Sequence, residues 1–120
     1  MRAQLNMKYR YENVLCKRVI DADTVDVEID FGFKIRYNAR LRLHRINAYE
    51  TRTRDKEEKK KGLLGKAWLK ELIEGKTIAI ETIKVGKFGR IVAEVYGGES
   101  NEYNINDALV SEGHAIYKDY

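Results

Sequence analysis

Three short segments of the 120-residue chain combine carboxylates with cationic side chains at spacings that can do chemistry. In Ile20-Asp-Ala-Asp-Thr-Val25, Asp21 and Asp23 stand two apart as the chain enters an alternating segment. Side chains two apart on an extended chain share a face, so both carboxylates can address one hard cation such as Ca2+. A turn-forming aspartate pair is the structural alternative. In Arg42-Leu-His-Arg-Ile-Asn-Ala-Tyr-Glu-Thr51, Arg42 and Glu50 can face one phosphate, the guanidinium as a bidentate clamp and the carboxylate as a base for water. An ordinary surface ion pair is the alternative there. Lys87-Phe-Gly-Arg90 reads as a hairpin turn that delivers an arginine at a strand start.

The charge distribution favours an anionic partner. Lys and Arg number 23 against 19 Asp and Glu, and residues 1–60 carry 15 basic and 10 acidic side chains. From Lys34 to Arg45 the chain has Lys34, Arg36, Arg40, Arg42, Arg45 and His44, with no acid. Such a segment attracts polyanions, nucleic acid first, unless it is a solvated strand face. Arg45 is then either a phosphate contact or a solvated side chain, and His44 is expected to be a partly buried structural residue. Cys16 is the sole cysteine, which excludes a disulfide framework and a thiolate zinc site. No run of about 18 apolar residues is present to span a membrane, and Met1 to Asn13 lacks the apolar core of a secretory signal. The expectation is a cytoplasmic monomer with residues 1–13 as a tail or extension, Met7 as an alternative start, and one domain over 14–120.

The elements that must position these residues follow from periodicity. Val14, Leu15, Val19 and Ile20 form a first apolar segment; Thr24 to Ile29 alternates with Val25, Val27 and Ile29 on one face. Asp30-Phe-Gly-Phe33 supplies a turn, and Ile35 to Ile46 alternates again, with Ala39, Leu41 and Leu43 inward and Arg36, Arg40 and Arg42 outward. From about Arg54 to Glu74 the pattern is helical, with Leu64, Trp68 and Leu72 drawing one apolar stripe flanked by Leu69 and Ile73. Gly62 and Gly65 weaken its start, Gly65 also permits close approach to a sheet, and Gly75 ends it. The mixed-charge run from Arg52 to Lys61 reads as a solvated loop or first turn. Thr77 to Ile83 and Arg90 to Tyr96 read as strands and Asn104 to Glu112 as a short helix. Five strands with a helix between the third and fourth is the order of the OB-fold, a Greek-key barrel, so the class is α+β, predominantly β.

Taken in order, these segments resemble the staphylococcal nuclease family of thermonuclease-like domains. The resemblance is carried by Asp21-Ala-Asp-Thr-Val25, Arg42-Leu-x-x-Ile-Asn-Ala-x-Glu-Thr51, the glycine-bounded helix with Trp68, Lys87-Phe-Gly-Arg90 and Ile105-Asn-Asp-Ala-Leu-Val-x-x-Gly-x-Ala115. It implies a Ca2+-dependent nuclease acting on DNA and RNA with low sequence specificity and leaving 3′-phosphates. It further implies Asp23 as a ligand of one Ca2+ with Asp21 behind it, the backbone carbonyl of Ala48 as another ligand, Arg42 and Arg90 on the scissile phosphate, and Glu50 assisting the attacking water. The best-studied members have aspartate where this chain has Asn47, and Thr-Pro where it has Ala48-Tyr49, which predicts weaker metal binding and a looser loop before Glu50. Arg36, Arg40, Arg45 and Lys87 would track single-stranded DNA or RNA, and Tyr117 and Tyr120 stand where the family packs aromatic residues on a base. The rival reading is a catalytically weak or inactive OB-fold module that binds single strands or a protein partner. Modules of that kind usually lose the arginines and the glutamate.

Overall fold

The structure is a computed structural model and describes residues 8–118. Its chain order is β1 (Arg10–Asp21), β2 (Thr24–Gly32), β3 (Ile35–Leu43), β4 (Ile46–Ala48), α1 (Lys56–Ile73), β5 (Thr77–Val85), β6 (Ile91–Gly97), β7 (Tyr103–Asn104), α2 (Ile105–Ser111) and β8 (Ala115–Tyr117). The sheet runs β3-β2-β1-β5-β6-β7, and a further β3–β6 pairing closes the five long strands into a barrel. This is the OB-fold expected, with α1 inserted between its third and fourth long strands.

The alternating residues do what period two requires. Val25, Val27 and Ile29 of β2 and Leu41 and Leu43 of β3 are buried in one core with Val14, Cys16, Ile78, Ile80 and Val95. Each large aliphatic side chain buried this way contributes about 1.5–3 kcal/mol. Burial also pushes the Cys16 thiol up to about 11, which leaves it an inert core residue. Leu69 and Ile73 of α1 and Ile105 and Leu109 of α2 close the core from outside the barrel.

Several expectations are corrected by the register. β1 begins at Arg10, so the barrel takes in residues 10–13 that the sequence assigned to a tail. The β2–β3 turn is Phe33-Lys34 rather than Asp30 to Phe33; both residues have left-handed φ, 56° and 65°. The long alternation from Ile35 to Ile46 is broken after Leu43, where Arg45 takes φ 68° and turns the chain into β4.

Helix α1 differs most. It starts at once at Lys56, because the Asp55 side chain caps it by accepting from the Glu57 and Glu58 amides. Its buried face is Gly62, Gly65, Leu69 and Ile73, whereas Leu64 of the expected stripe is 56% exposed and Trp68 and Leu72 are only partly covered. Gly62 and Gly65, expected to weaken the helix start, belong to its docking surface, and at Gly65 the close approach also expected there is made. A Cβ at Gly65 would lie 3.0 Å from the His114 Cβ and 3.4 Å from that of Ala22. Gly75 does end the helix, with φ 79° and its amide donating to the Cys16 carbonyl. Among the described residues, no helix is long and apolar enough to cross a membrane.

Candidate nucleic-acid cleavage site

The site grows from the β1–β2 turn. Asp21 pairs with Thr24 in register, and Ala22-Asp23 forms the turn between them, so the two carboxylates do not share one extended face. They reach different partners on one loop. Asp23 Oδ2 accepts the Ala48 amide at 2.9 Å, and Asp21 Oδ1 accepts the Thr51 hydroxyl at 2.9 Å. Asp23 Oδ1 also accepts the Thr24 hydroxyl. A pair that looked like a cation trap in sequence is, in the fold, a two-point fastening for residues 48–51.

Helix α1 fastens the same loop from the other side. Glu58 Oε2 accepts the Glu50 amide at 3.1 Å. A Cβ at Gly62 would lie 2.6 Å from the Glu50 carbonyl oxygen and 2.7 Å from that of Tyr49, so only glycine lets the loop backbone lie on the helix here. Lys61 sits over the Tyr49 ring at 5.1 Å. Glu50 is thus an exposed carboxylate on a backbone tied at residues 48, 50 and 51, not on a loosened loop. Gly62 and Glu58 escaped sequence reasoning, and the one available signal was a glycine persisting inside a helical pattern.

Arg42 stands at the foot of this loop. Its Nη1 donates to the Leu43 carbonyl at 2.8 Å; its Nη2 lies 3.3 Å from Asn47 Oδ1 and 3.5 Å from Asp23 Oδ2. Two side-chain oxygens therefore already converge on one positive charge, with the Arg42 and Asp23 side chains 13% and 14% exposed. Among the described residues no group of three or more His, Cys, Asp or Glu side chains is placed to hold a metal. A cation at Asp23 would rest on one carboxylate, the Asn47 amide oxygen and the Ala48 carbonyl. That all-oxygen set suits a hard ion and brings little charge to it.

Arg90 joins from the far side of the barrel seam. β3 and β6 run parallel with Leu41 opposite Ile91 and Arg42 opposite Val92, which puts Arg90 one step below, beside Arg40. An open groove there is lined by Asp21, Thr24, Arg40 and Arg90 with Tyr37 and Phe88 as aromatic walls. Thr24 is the register partner of Arg42, so groove and loop adjoin. Phe88, in the turn Lys87–Gly89, has φ 62° and is 96% exposed, an aromatic wall that sequence reasoning passed over.

The remaining basic candidates separate. Arg36 is exposed opposite Asp30 in register. Arg40 makes a two-point pair with Asp26, 2.8 and 3.1 Å, and the guanidinium holds that carboxyl below its usual range. Lys87 is exposed beside Phe88. Arg45 is neither a free phosphate contact nor a solvated residue. It grips the buried Glu94 through both oxygens at 2.8 and 2.7 Å, reaches Asp107 at 3.0 Å, and has its pKa raised chiefly by the Glu94 hydrogen bonds. Tyr117 belongs to the same cluster, its hydroxyl donating to Asp107 and its ring under Arg45. His44 is partly buried, and its carbonyl accepts from the side chain of Asn106. Asn106 is fully buried and also bonds Val95 and Ala93, which ties α2 to β6 and to the β3–β4 turn. Tyr120 lies outside the described residues.

A family model described as staphylococcal nuclease homologue matches residues 40–120, a span that takes in Arg42, Asn47, Glu50 and Arg90 and begins after Asp21 and Asp23. An Escherichia coli protein named as an uncharacterized endonuclease is 30% identical over 104 residues, 86% of this chain and 60% of that protein. A protein of the same name from Escherichia coli O157:H7 is 29% identical over the same length. The chain spans 60% of the length of the curated relatives it matches.

Proposed function

Because the chain belongs to the staphylococcal nuclease homologue family, we propose that it is a nuclease that hydrolyses phosphodiester bonds of single-stranded DNA and RNA with little sequence preference. The observation that carries this reading is the loop fastened at residues 48, 50 and 51, which fixes the backbone that bears Glu50, while Arg42 reaches Asn47 at the start of the same loop. Hydrolysis needs a base carried on a fixed backbone, which strand binding alone does not.

In the proposed reaction the scissile phosphate lies between Arg42 and Arg90, whose guanidiniums match its oxygens in a forked geometry. Glu50 takes a proton from water as the water oxygen bonds to phosphorus and the bond to the 5′ oxygen breaks, leaving a 3′-phosphate. Negative charge grows on the phosphate during attack, and donors already fixed in place stabilise that charge without reorganising. The proposed cofactor is one Ca2+, which Asp23, Asn47 and the Ala48 carbonyl would hold, with Asp21 steadying the loop through Thr51. When bound, the ion supplies further positive charge against the phosphate oxygens. Arg40 lines the groove and Lys87 stands next to Phe88 of its wall, as cations for the flanking phosphates, with Arg36 further along β3 for a more distant one. Arg45 and Tyr117 are left out, since both are committed to Asp107 and Arg45 also to Glu94.

The test is digestion of single-stranded DNA with Ca2+, with EDTA and with Glu50→Gln. The proposal expects cleavage in the first condition alone. Binding without cleavage at millimolar Ca2+ would instead favour the non-catalytic module. Asn47→Asp is expected to tighten Ca2+ binding about tenfold by calorimetry, since it adds a charged ligand; unchanged affinity would remove residue 47 from the metal site.

A further inference from the structure

A row of aromatic rings crosses the open end of the barrel, outside the site just described. Tyr9 faces Tyr11 at a ring-centroid distance of 6.4 Å, Tyr11 meets Phe31 at 5.3 Å, and Phe31 meets Tyr37 at 6.3 Å. The four residues come from the segment before β1 and from β1, β2 and β3 in turn, so the row is built by sheet pairing and not by local sequence. Tyr37 is paired with the core residue Ile29, which gives the rings the inward parity of the barrel interior. A seal for the barrel would account for rings that are covered. These are not: Tyr9, Phe31 and Tyr37 are 55%, 41% and 51% exposed.

Two observations say what covers them. The groove over the row includes Tyr9, Tyr11, Phe31, Tyr37, Lys84 and Val85, and among the described residues its only charged side chain is the ammonium of Lys84. It offers ring faces and one cation and has no carboxylate to repel a polyanion. Tyr37 also lines the groove that holds Arg40, Phe88 and Arg90. Below the Leu41–Ile91 pair the ladder between β3 and β6 ends, so the two grooves meet at Tyr37 without a strand between them. A strand lying along Arg90 thus reaches the aromatic row by passing one residue.

We propose that the Tyr9–Tyr11–Phe31–Tyr37 row is a base-stacking platform that holds unpaired nucleotides of a single-stranded nucleic acid leaving the cleavage groove, with Lys84 on their phosphates. The proposal rests on the nuclease reading for the position of the substrate and extends it by assigning a surface for the nucleotides beyond the cut. Stacking on ring faces accepts any base, so the platform strengthens binding without adding sequence preference. A duplex, whose bases are already stacked, gains nothing from it.

The experiment measures fluorescence anisotropy of labelled oligothymidylate of about twelve nucleotides, a length within the range of an OB-fold site, against an abasic strand with the same number of phosphates, both in EDTA. The platform predicts that the wild-type protein prefers oligothymidylate about tenfold, and that Tyr9→Leu/Phe31→Leu, which leaves Tyr37 of the cleavage groove in place, loses most of this preference while its affinity for the abasic strand stays level. Tyr9→Leu, a change outside the sheet, should lose a smaller part, about threefold, and keeps the test open if the double variant fails to fold. Equal affinity of the wild type for the two strands overturns the proposal. So does a double variant that keeps its preference but changes its sedimentation coefficient, since the row then covers a protein partner. Cleavage of a dinucleotide, too short to span both grooves, is scored separately with Ca2+: its absence counts against the nuclease reading and leaves the anisotropy result to judge the platform.

Discussion

Arg42 and Arg45 are three residues apart in one basic segment, and the fold gives them opposite situations. Arg45 is bound through three short contacts, two to a carboxylate that is 6% exposed and one to Asp107. Arg42 has one short bond to a main-chain carbonyl and longer contacts, 3.3 and 3.5 Å, to the oxygens of Asn47 and Asp23. The first arrangement compensates a buried charge, and moving Arg45 would strand Glu94. The second seats the guanidinium on a main-chain carbonyl next to Asn47 and Asp23, at the loop that carries Glu50. Residue type does not separate the two. The depth and number of carboxylate contacts do.

Four substitutions sharpen or break this contrast. Arg42→Ala should lower cleavage of single-stranded DNA by about a thousandfold at equal folded fraction, the cost of one transition-state donor at the upper end of its range. Arg45→Met should do the reverse: removing one partner of a buried pair is strongly destabilising, and with Arg45 36% exposed and Asn104 still donating to Glu94 the expected loss is about 2 kcal/mol in urea unfolding, with the rate at saturating substrate retained. A slow but stable Arg45→Met would dissolve the comparison. Gly62→Ala should cost about tenfold in kcat with KM little changed, because the added methyl displaces the backbone that carries Glu50, and small misplacements of a reacting group are expensive. Rates equal to wild type would mean that the loop shifts without consequence.

Arg40 gives the smallest effect. It is paired with Asp26 at the surface, where solvent screens the pair, so Arg40→Ala should cost little stability at neutral pH in urea unfolding. The sign with pH follows from Asp26, whose folded pKa is lowered mainly by the Arg40 hydrogen bond. The pair stabilises above the ordinary carboxylate range and is lost as pH falls through the folded value. Wild type and variant should therefore converge in acid urea titrations.

The sequence made some of this legible and hid the rest for identifiable reasons. The β2 alternation was plain because each of Val25, Val27 and Ile29 faces one core. The break after Leu43 was not, because it depends on a non-glycine residue, Arg45, entering the left-handed region under the pull of partners 49 and 62 residues away. The same distance hid the structural role of Arg45 and Tyr117. The buried side of α1 is legible at Leu69, Ile73 and Gly65 and not at Leu64 and Gly62, because hydrophobic periodicity has no symbol for a contact made by the absence of a side chain. Of the two readings open for Asp21 and Asp23, the structure has the turn: Ala22-Asp23 replaces the extended chain that would align both carboxylates on one face.

The most direct measurement is single-turnover cleavage of a labelled single-stranded oligonucleotide by wild type, Arg42→Ala and Arg45→Met at equal folded fraction and millimolar Ca2+. Cleavage by wild type and Arg45→Met, absent with EDTA and lost in Arg42→Ala, is the predicted result. A folded wild-type protein that binds the strand and leaves it intact, or an Arg42→Ala variant that cuts as fast as Arg45→Met, would contradict it.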